Sequence, residues 1–280
     1  MSKNLSAAAK TEFDDEVKHA FQGAGMLRDT VTVRTGVVGD TYKFRKMGKG
    51  LANQKPSQAD VTPMDVSHSL PSATLTNWNA PEYTDIFDAA EVNFDEQREL
   101  ASTIAMALGR RLDQLIIDAM NAEASPAGTV GTNIGGTGSD INVSKLRKAS
   151  RYHNDKGVDG SGRHIAISAM GLEALLGTTE ASSADYNSVK ALVNGEINTF
   201  VGYKFHIIET RDEGGLPLSG STRTSFAWHE SAVGLAIGID VTTEVNYIAQ
   251  KTSWLANGLM KAGAVSRDGD GIVKITTTEA

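Results

Sequence analysis

The residues that could do chemistry come first. The run "GTVGTNIGGTG" (residues 128–138) has the glycines of a phosphate cradle, where backbone amides approach an anion closely. A P-loop needs Lys-Ser/Thr after the glycines, and a dinucleotide site needs GxGxxG opening a helix. Neither follows, so the run reads as a flexible loop. "DKGVDGSG" (155–162) offers calcium-type carboxylates but lacks the EF-hand spacing and its closing bidentate Glu; it reads as a surface turn. His19, His68, His153, His164, His206 and His229 are scattered, without HExxH and without a pair at ligand spacing. No Gly-x-Ser-x-Gly elbow occurs, and no two acids are placed for general acid–base work. The expectation is therefore no catalytic residue, no metal ligand, no cofactor and no enzyme.

Charge is patterned more clearly. Between Asp40 and Asp60 lie Lys43, Arg45, Lys46, Lys49 and Lys55, with no acid among them. Tyr42 and Phe44 alternate with Lys43 and Arg45, so aromatic and basic side chains take opposite faces of a strand. Three readings compete: a solvated hairpin, a nucleic-acid contact short of interleaved aromatics, or docking on an acidic surface of another copy. Asp85, Asp88, Glu91, Asp95 and Glu96 supply such a surface. The third is favoured, because a β-excursion with few apolar residues of its own is marginal alone. Complementary charge would steer and register the subunits.

The elements that must carry these residues follow from periodicity. Residues 5–22 form a thin amphipathic helix on Leu5, Phe13, Val17 and Phe21. Val31 and Val33, then Tyr42 and Phe44, mark strands around the "GVVGD" turn. Thr74, Leu75, Thr76 and Trp78 give another strand signal. Residues 95–122 predict a long helix: Leu100, Ile104, Leu108, Leu112, Leu115 and Met120 recur at three-to-four-residue spacing. Ala101, Ala105, Ala107 and Gly109 add a small-residue face, and Ile116 and Ile117 widen the apolar surface. At 1.5 Å per residue this helix spans roughly 40 Å, the length of a strut. Arg110 and Arg111 are either surface charges or one half of an intersubunit ion pair. Beyond the glycine run the pattern is α/β: a helix over 143–152, a strand over 163–169 feeding a helix at 172–176, and a strand over 200–209. Further strands are expected at 226–228 and 233–241, with an extended return from 242.

Composition bounds the class. The 280 residues are 40% hydrophobic and 22% charged, as in a soluble globular protein. No run approaches the roughly 18–20 apolar residues of a membrane helix, and acids stand where a secretory apolar core would be. With no cysteine there is no disulfide frame or thiolate metal site, and a cytoplasmic setting is expected. A net charge of −7 argues against a dedicated nucleic-acid binder.

The order of elements, together with "GDTYKFRKMGKG", "HSLPSATLTNWNAPEYTDIFD", "ALGRRLDQLIIDAM" and "MKAGAVSRDGDGIVKI", resembles a tailed-bacteriophage major capsid protein of the Hong Kong 97-like fold. The resemblance covers nearly the whole chain. It implies an α+β fold with an N-terminal arm (1–28), an E-loop (29–70), a peripheral P-domain (71–127 and 242–280) with spine helix 95–122, and an axial A-domain (128–241). It further implies self-assembly into pentamers and hexamers of an icosahedral shell around double-stranded DNA, which the shell contacts weakly and non-specifically. Portal, decoration protein and a separate scaffolding protein are the other implied partners, the last because no scaffold-like extension precedes the arm. The virion capsid, assembled in the bacterial host cytoplasm, is the implied location, without membrane contact. Some family members crosslink an E-loop Lys to a neighbour's Asn; Lys43, Lys46 and Lys49 are available, but no motif marks a partner, so no autocatalysis is expected. The alternatives are an encapsulin-like nanocompartment shell or, from another class, a ligand-binding or enzymatic domain at 140–240 using His164, Asp155 and Asp159.

Overall fold

The computed structural model describes residues 24–85, 96–136, 138–177 and 199–279. The expected arm helix (5–22) and Asp88, Glu91 and Asp95 lie outside the described residues, as does the side chain of Glu96.

The long helix α1 runs Glu96–Asn121, 26 residues. Ile104, Leu108, Leu112, Ile116, Ile117 and Met120 are buried along it, with Leu115 packed at the margin. Leu100 and the Arg110–Arg111 pair are half-buried. The helix lies on a four-stranded sheet of order β1-β13-β14-β6, where β1 is Thr32–Arg34, β6 Thr76–Asp85, β13 Val233–Ile248 and β14 Ser253–Ser266. β1 runs parallel to β13 and the other pairs are antiparallel. Gly258 of β14 lets the helix sit close, because a Cβ there would collide with Ile104 and Leu108.

A second, seven-stranded sheet has the order β7-β15-β12-β8-β10-β9, with β11 on β12. Here β7 is Gly128–Val130, β8 Arg163–Ser168, β9 Thr199–Phe200, β10 Tyr203–Ile208, β11 Leu218–Ser219, β12 Thr222–His229 and β15 Ile272–Thr278. Two-residue alternation feeds two cores. Phe226 and Trp228 of β12 enter the main core with Leu27, Ile116, Leu235 and Ile237. Ala227 enters the other with Ile165, Ile167, Tyr203 and Leu146, under helices α2 (Val143–Asp155) and α3 (Ala169–Gly177). β8 is covered on both faces, and all six of its residues are buried.

Two expectations change. Gly128–Val130 is not loop but a strand parallel to β15, with Val130 wholly buried. The residues after it are tied down: Asn142 Nδ2 donates to the Ile134 carbonyl at 2.9 Å, and the buried Lys145 Nζ donates to the Ser139 and Thr276 carbonyls at 2.5 and 3.0 Å. Burial pushes the Lys145 amine down to about 8. The strand expected over 233–241 runs on to Ile248 as β13, and β15 pairs with β12 and β7.

The hairpin following β1 has two short ladders: β2 (Thr41–Lys43) with β5 (Ser72–Thr74), and β3 (Lys46–Met47) with β4 (His68–Ser69). Its root has a core of its own, contrary to expectation. Phe44, Ala73, Leu75 and Ala236 are buried together. Leu235 and Ile237 face α1 while Ala236 faces the hairpin, so the root packs on the sheet face opposite the helix.

Candidate functional site

Two places concentrate the unusual chemistry. The first is one turn of α1, "GRRLDQ" (109–114). Gly109 and Gly25 touch through their backbones, and a side chain on either would strike the other. The Asp113 carboxylate, fully buried, accepts the Met26 N–H at 3.1 Å and the Leu27 N–H at 2.9 Å. It also accepts Arg211 Nη2 at 2.9 Å, from a side chain only 8% exposed. Burial pushes the Asp113 carboxyl upward, opposed by the two amides and by Arg211. Gln114 Oε1 accepts the Gly214 N–H at 2.7 Å. Arg111 pairs with Glu213 at 2.5 Å and lies 4.2 Å from the Trp78 ring centroid. Arg111, read as a surface charge or half of an intersubunit pair, has an ion-pair partner within the chain. One helical turn thus clasps the segment leading to the arm and the 209–217 loop together.

The second place is the hairpin. Tyr42 and Phe44 meet edge to face at 4.9 Å on the inner side, and Lys43 and Arg45 are exposed on the outer. Lys46 Nζ reaches Asp268 at 2.8 Å. Lys49 Nζ reaches Asp270 at 3.3 Å, and Lys156 Nζ joins it at 2.9 Å. The Lys156 hydrogen bond holds the Asp270 carboxyl below its usual range. Lys46 and Lys49, expected to face a neighbouring copy, are thus pinned within the chain, whereas Lys43 and Arg45 have no ion pair among the described residues. Beyond the root, Met47, Leu51, Val61, Met64 and Leu70 are exposed, Leu51 at 81%. Of the expected acidic partners, Asp85 ends β6 and Glu96 begins α1.

Sequence reasoning missed Asp113, Arg211, Asp268 and Asp270, and also a histidine pair. His164 Nδ1 and His206 Nε2 lie 3.0 Å apart, both rings stacked on Trp228. They are separated by 42 residues but stand on parallel neighbours β8 and β10, a register no single-strand pattern reveals. Burial, then His206, pushes His164 down to about 4. Among the described residues, no group of three or more His, Cys, Asp or Glu could hold a metal ion, and no helix is long and apolar enough to cross a membrane. The residues of the enzymatic reading do not converge: Asp155 pairs with Arg151, and the Asp159 carbonyl accepts buried Arg163.

A packed body that clasps residues 25–27 and carries a hairpin with exposed apolar side chains has the features of an interlocking structural subunit. A family model described as "phage capsid protein" matches residues 5–279, and the chain belongs to that family. Similar solved structures include the capsid of cyanophage P-SCSP1u (15% identity, TM-score 0.74, covering 100% of this chain and 96% of that one). The head of Helicobacter pylori bacteriophage KHP40 is similar at 11% identity and TM-score 0.75, with 98% of each chain covered. So is the capsid of a native GTA particle, at 14% identity and TM-score 0.71, with 99% of each covered. A search of curated proteins finds no match. The fold is Hong Kong 97-like α+β, and the chain is a major capsid protein of the virion shell, structural rather than enzymatic. The family match does not favour the encapsulin-like alternative.

Proposed function

We propose that this subunit closes an icosahedral shell of pentamers and hexamers in which identical neighbours cover the hairpin tip and the arm. In this reading residues 1–28 are the arm and 29–70 the E-loop. Residues 71–127 with 242–280 form the P-domain around α1, and 128–241 form the A-domain, the two joined through β13 and β15. The observation that carries it is the set of exposed apolar side chains along the hairpin, Met47, Leu51, Val61, Met64 and Leu70, on a root that is itself well packed. Repeated heterologous contact whose rotation closes is the geometry such a projection suits. Assembly takes place in the bacterial cytoplasm with a separate scaffolding protein and a portal, with decoration protein where the outer face carries one. Double-stranded DNA fills the shell and is touched weakly, as the net charge of −7 suits.

The test is expression in a bacterium, alone and with a co-expressed phage scaffolding protein, followed by negative-stain microscopy. Closed shells are expected. A subunit that stays monomeric in both settings, with its hairpin tip protected from proteolysis, overturns the reading.

A further inference from the structure

We propose that the exposed face of α2 contacts the phosphate backbone of the double-stranded DNA that the shell encloses. The proposal rests on the shell-subunit reading and assigns residues to that contact. The chain as a whole has a net charge of −7, but α2 reverses the sign. Val143–Asp155 holds Lys145, Arg147, Lys148 and Arg151 against one acid, Asp155. The helix then sorts these cations. Val143, Lys145, Leu146, Ala149 and His153 are buried, which turns Arg147, Lys148 and Arg151 to the opposite side. Arg147 and Arg151 are exposed and Lys148 is half-buried. Arg147 and Lys148 have no ion pair among the described residues. Arg151 has Asp155 at 3.5 Å, with both side chains at least 60% exposed, a pair too solvated to resist a competing phosphate.

The face is set before any partner arrives. The Tyr152 ring lies against β7, where a side chain on Gly128 would strike it. Lys148 Nζ stands 5.8 Å from the centroid of that ring, and the Arg151 guanidinium 5.4 Å. One half-buried aromatic thus positions two cations. The helix beneath is held at both ends: Asn142 Oδ1 accepts the Lys145 N–H at 2.9 Å, and buried Arg163 donates to Asn154 Oδ1 at 2.8 Å. Side chains placed in advance lose less freedom on binding.

Spacing and chemistry select the partner. Arg147 and Arg151 are one helical turn apart, about 6 Å along the axis. Two guanidinia at that separation can take neighbouring phosphates of one strand, each as a planar fork. The ring of Tyr152 is already engaged with β7 and its two cations, so it is not free to stack on a base. The contact therefore positions DNA without reading its sequence. An acidic protein is a poorer match. A protein interface builds its core from apolar side chains, and the exposed positions of α2, Arg147, Arg151, Asn154 and Asp155, include none.

The experiment is a salt titration of duplex binding. Unassembled full-length subunit is mixed with a fluorescent 20-bp duplex, and anisotropy is read across a range of salt concentrations. Each phosphate contact contributes about 0.9 to the slope of log K against log salt. The Arg147→Gln/Lys148→Gln/Arg151→Gln variant is expected to keep its circular dichroism and to flatten that slope by about 2.7. The Lys43→Gln/Arg45→Gln variant is expected to keep the parent's slope. Closed shells are expected to leave a long duplex unbound when it is added from outside. A parent without salt-dependent binding, or a triple variant with the parent's slope, overturns the proposal while leaving the shell reading intact. A loss that follows the hairpin variant instead also overturns it. So does binding of the long duplex to closed shells, which would put the α2 face on the exterior. A parent that binds duplex through these residues but forms no shell sinks the shell reading and leaves the phosphate contact standing.

Discussion

Replacing Asp113 by Ala tests the clasp at the centre of the spine helix. The substitution removes the counter-charge of Arg211, whose side chain is 8% exposed, and the acceptor of the fully buried Leu27 amide. Breaking one side of a buried ion pair costs about 3–5 kcal/mol, and an orphaned buried donor about 1–3 kcal/mol. Two features reduce the sum: Met26 is 38% exposed, so its amide regains water, and Arg211 keeps the Gly214 carbonyl and Glu209. The expected loss is therefore about 3–5 kcal/mol, or a melting temperature lower by at least about 6 °C for a chain of this size. Asp113→Asn retains an acceptor for Leu27 but not the charge, and should lose about 2–3 kcal/mol. Arg211→Met on top of Asp113→Ala removes the stranded cation and should recover part of the loss, a coupling that a double-mutant cycle measures. Faster tryptic cleavage at Arg28 should report the freed arm root. A melting temperature within about 2 °C of the parent, or strictly additive single losses, would show that the clasp does not act as a unit.

Two further outcomes are expected. Leu108→Ala, at a position 3% exposed against β14, should cost about 2–5 kcal/mol in denaturant titration; unchanged melting would remove this leucine from the core. Acidification should also destabilise the subunit. His153 and His164 are held to about 4 by burial, against the ordinary 6.5, so the unfolded chain takes up protons first. Stability is then fully present above 6.5 and is lost as pH falls toward about 4. His164→Gln should flatten that profile, and a variant with the parent's full pH slope would refute the assignment.

Periodicity carried the fold a long way. The 3.6-residue spacing over 95–122 located α1 to within a residue at each end, because its recurring apolar positions are the ones buried in the main core. The alternation in "TYKF" placed Tyr42 and Phe44 on one side and Lys43 and Arg45 on the other, since that depends only on the pleat. What stayed hidden depends on partners distant in sequence. Asp113 reads as an ordinary helix-surface acid until residues 26, 27 and 211 converge on it. Gly128–Val130 reads as loop because a three-residue strand has no period to detect, and its place is set by β15, far along the chain. The His164–His206 contact likewise follows from strand register alone.

The hairpin shows why charge patterning is the least transferable of these signals. Lys43, Arg45, Lys46 and Lys49 look like one basic block in sequence, yet the strand pleat and the Asp268–Asp270 turn divide them. Lys46 and Lys49 fasten the hairpin to its own body through pairs that remain partly exposed, each contributing at most about 1 kcal/mol. Such contacts can be exchanged for others of similar strength without unfolding anything. Lys43 and Arg45 stand over a buried aromatic root, with Phe44 only 4% exposed. That division concentrates burial in the Phe44 root and along α1, and leaves the outer hairpin surface exposed.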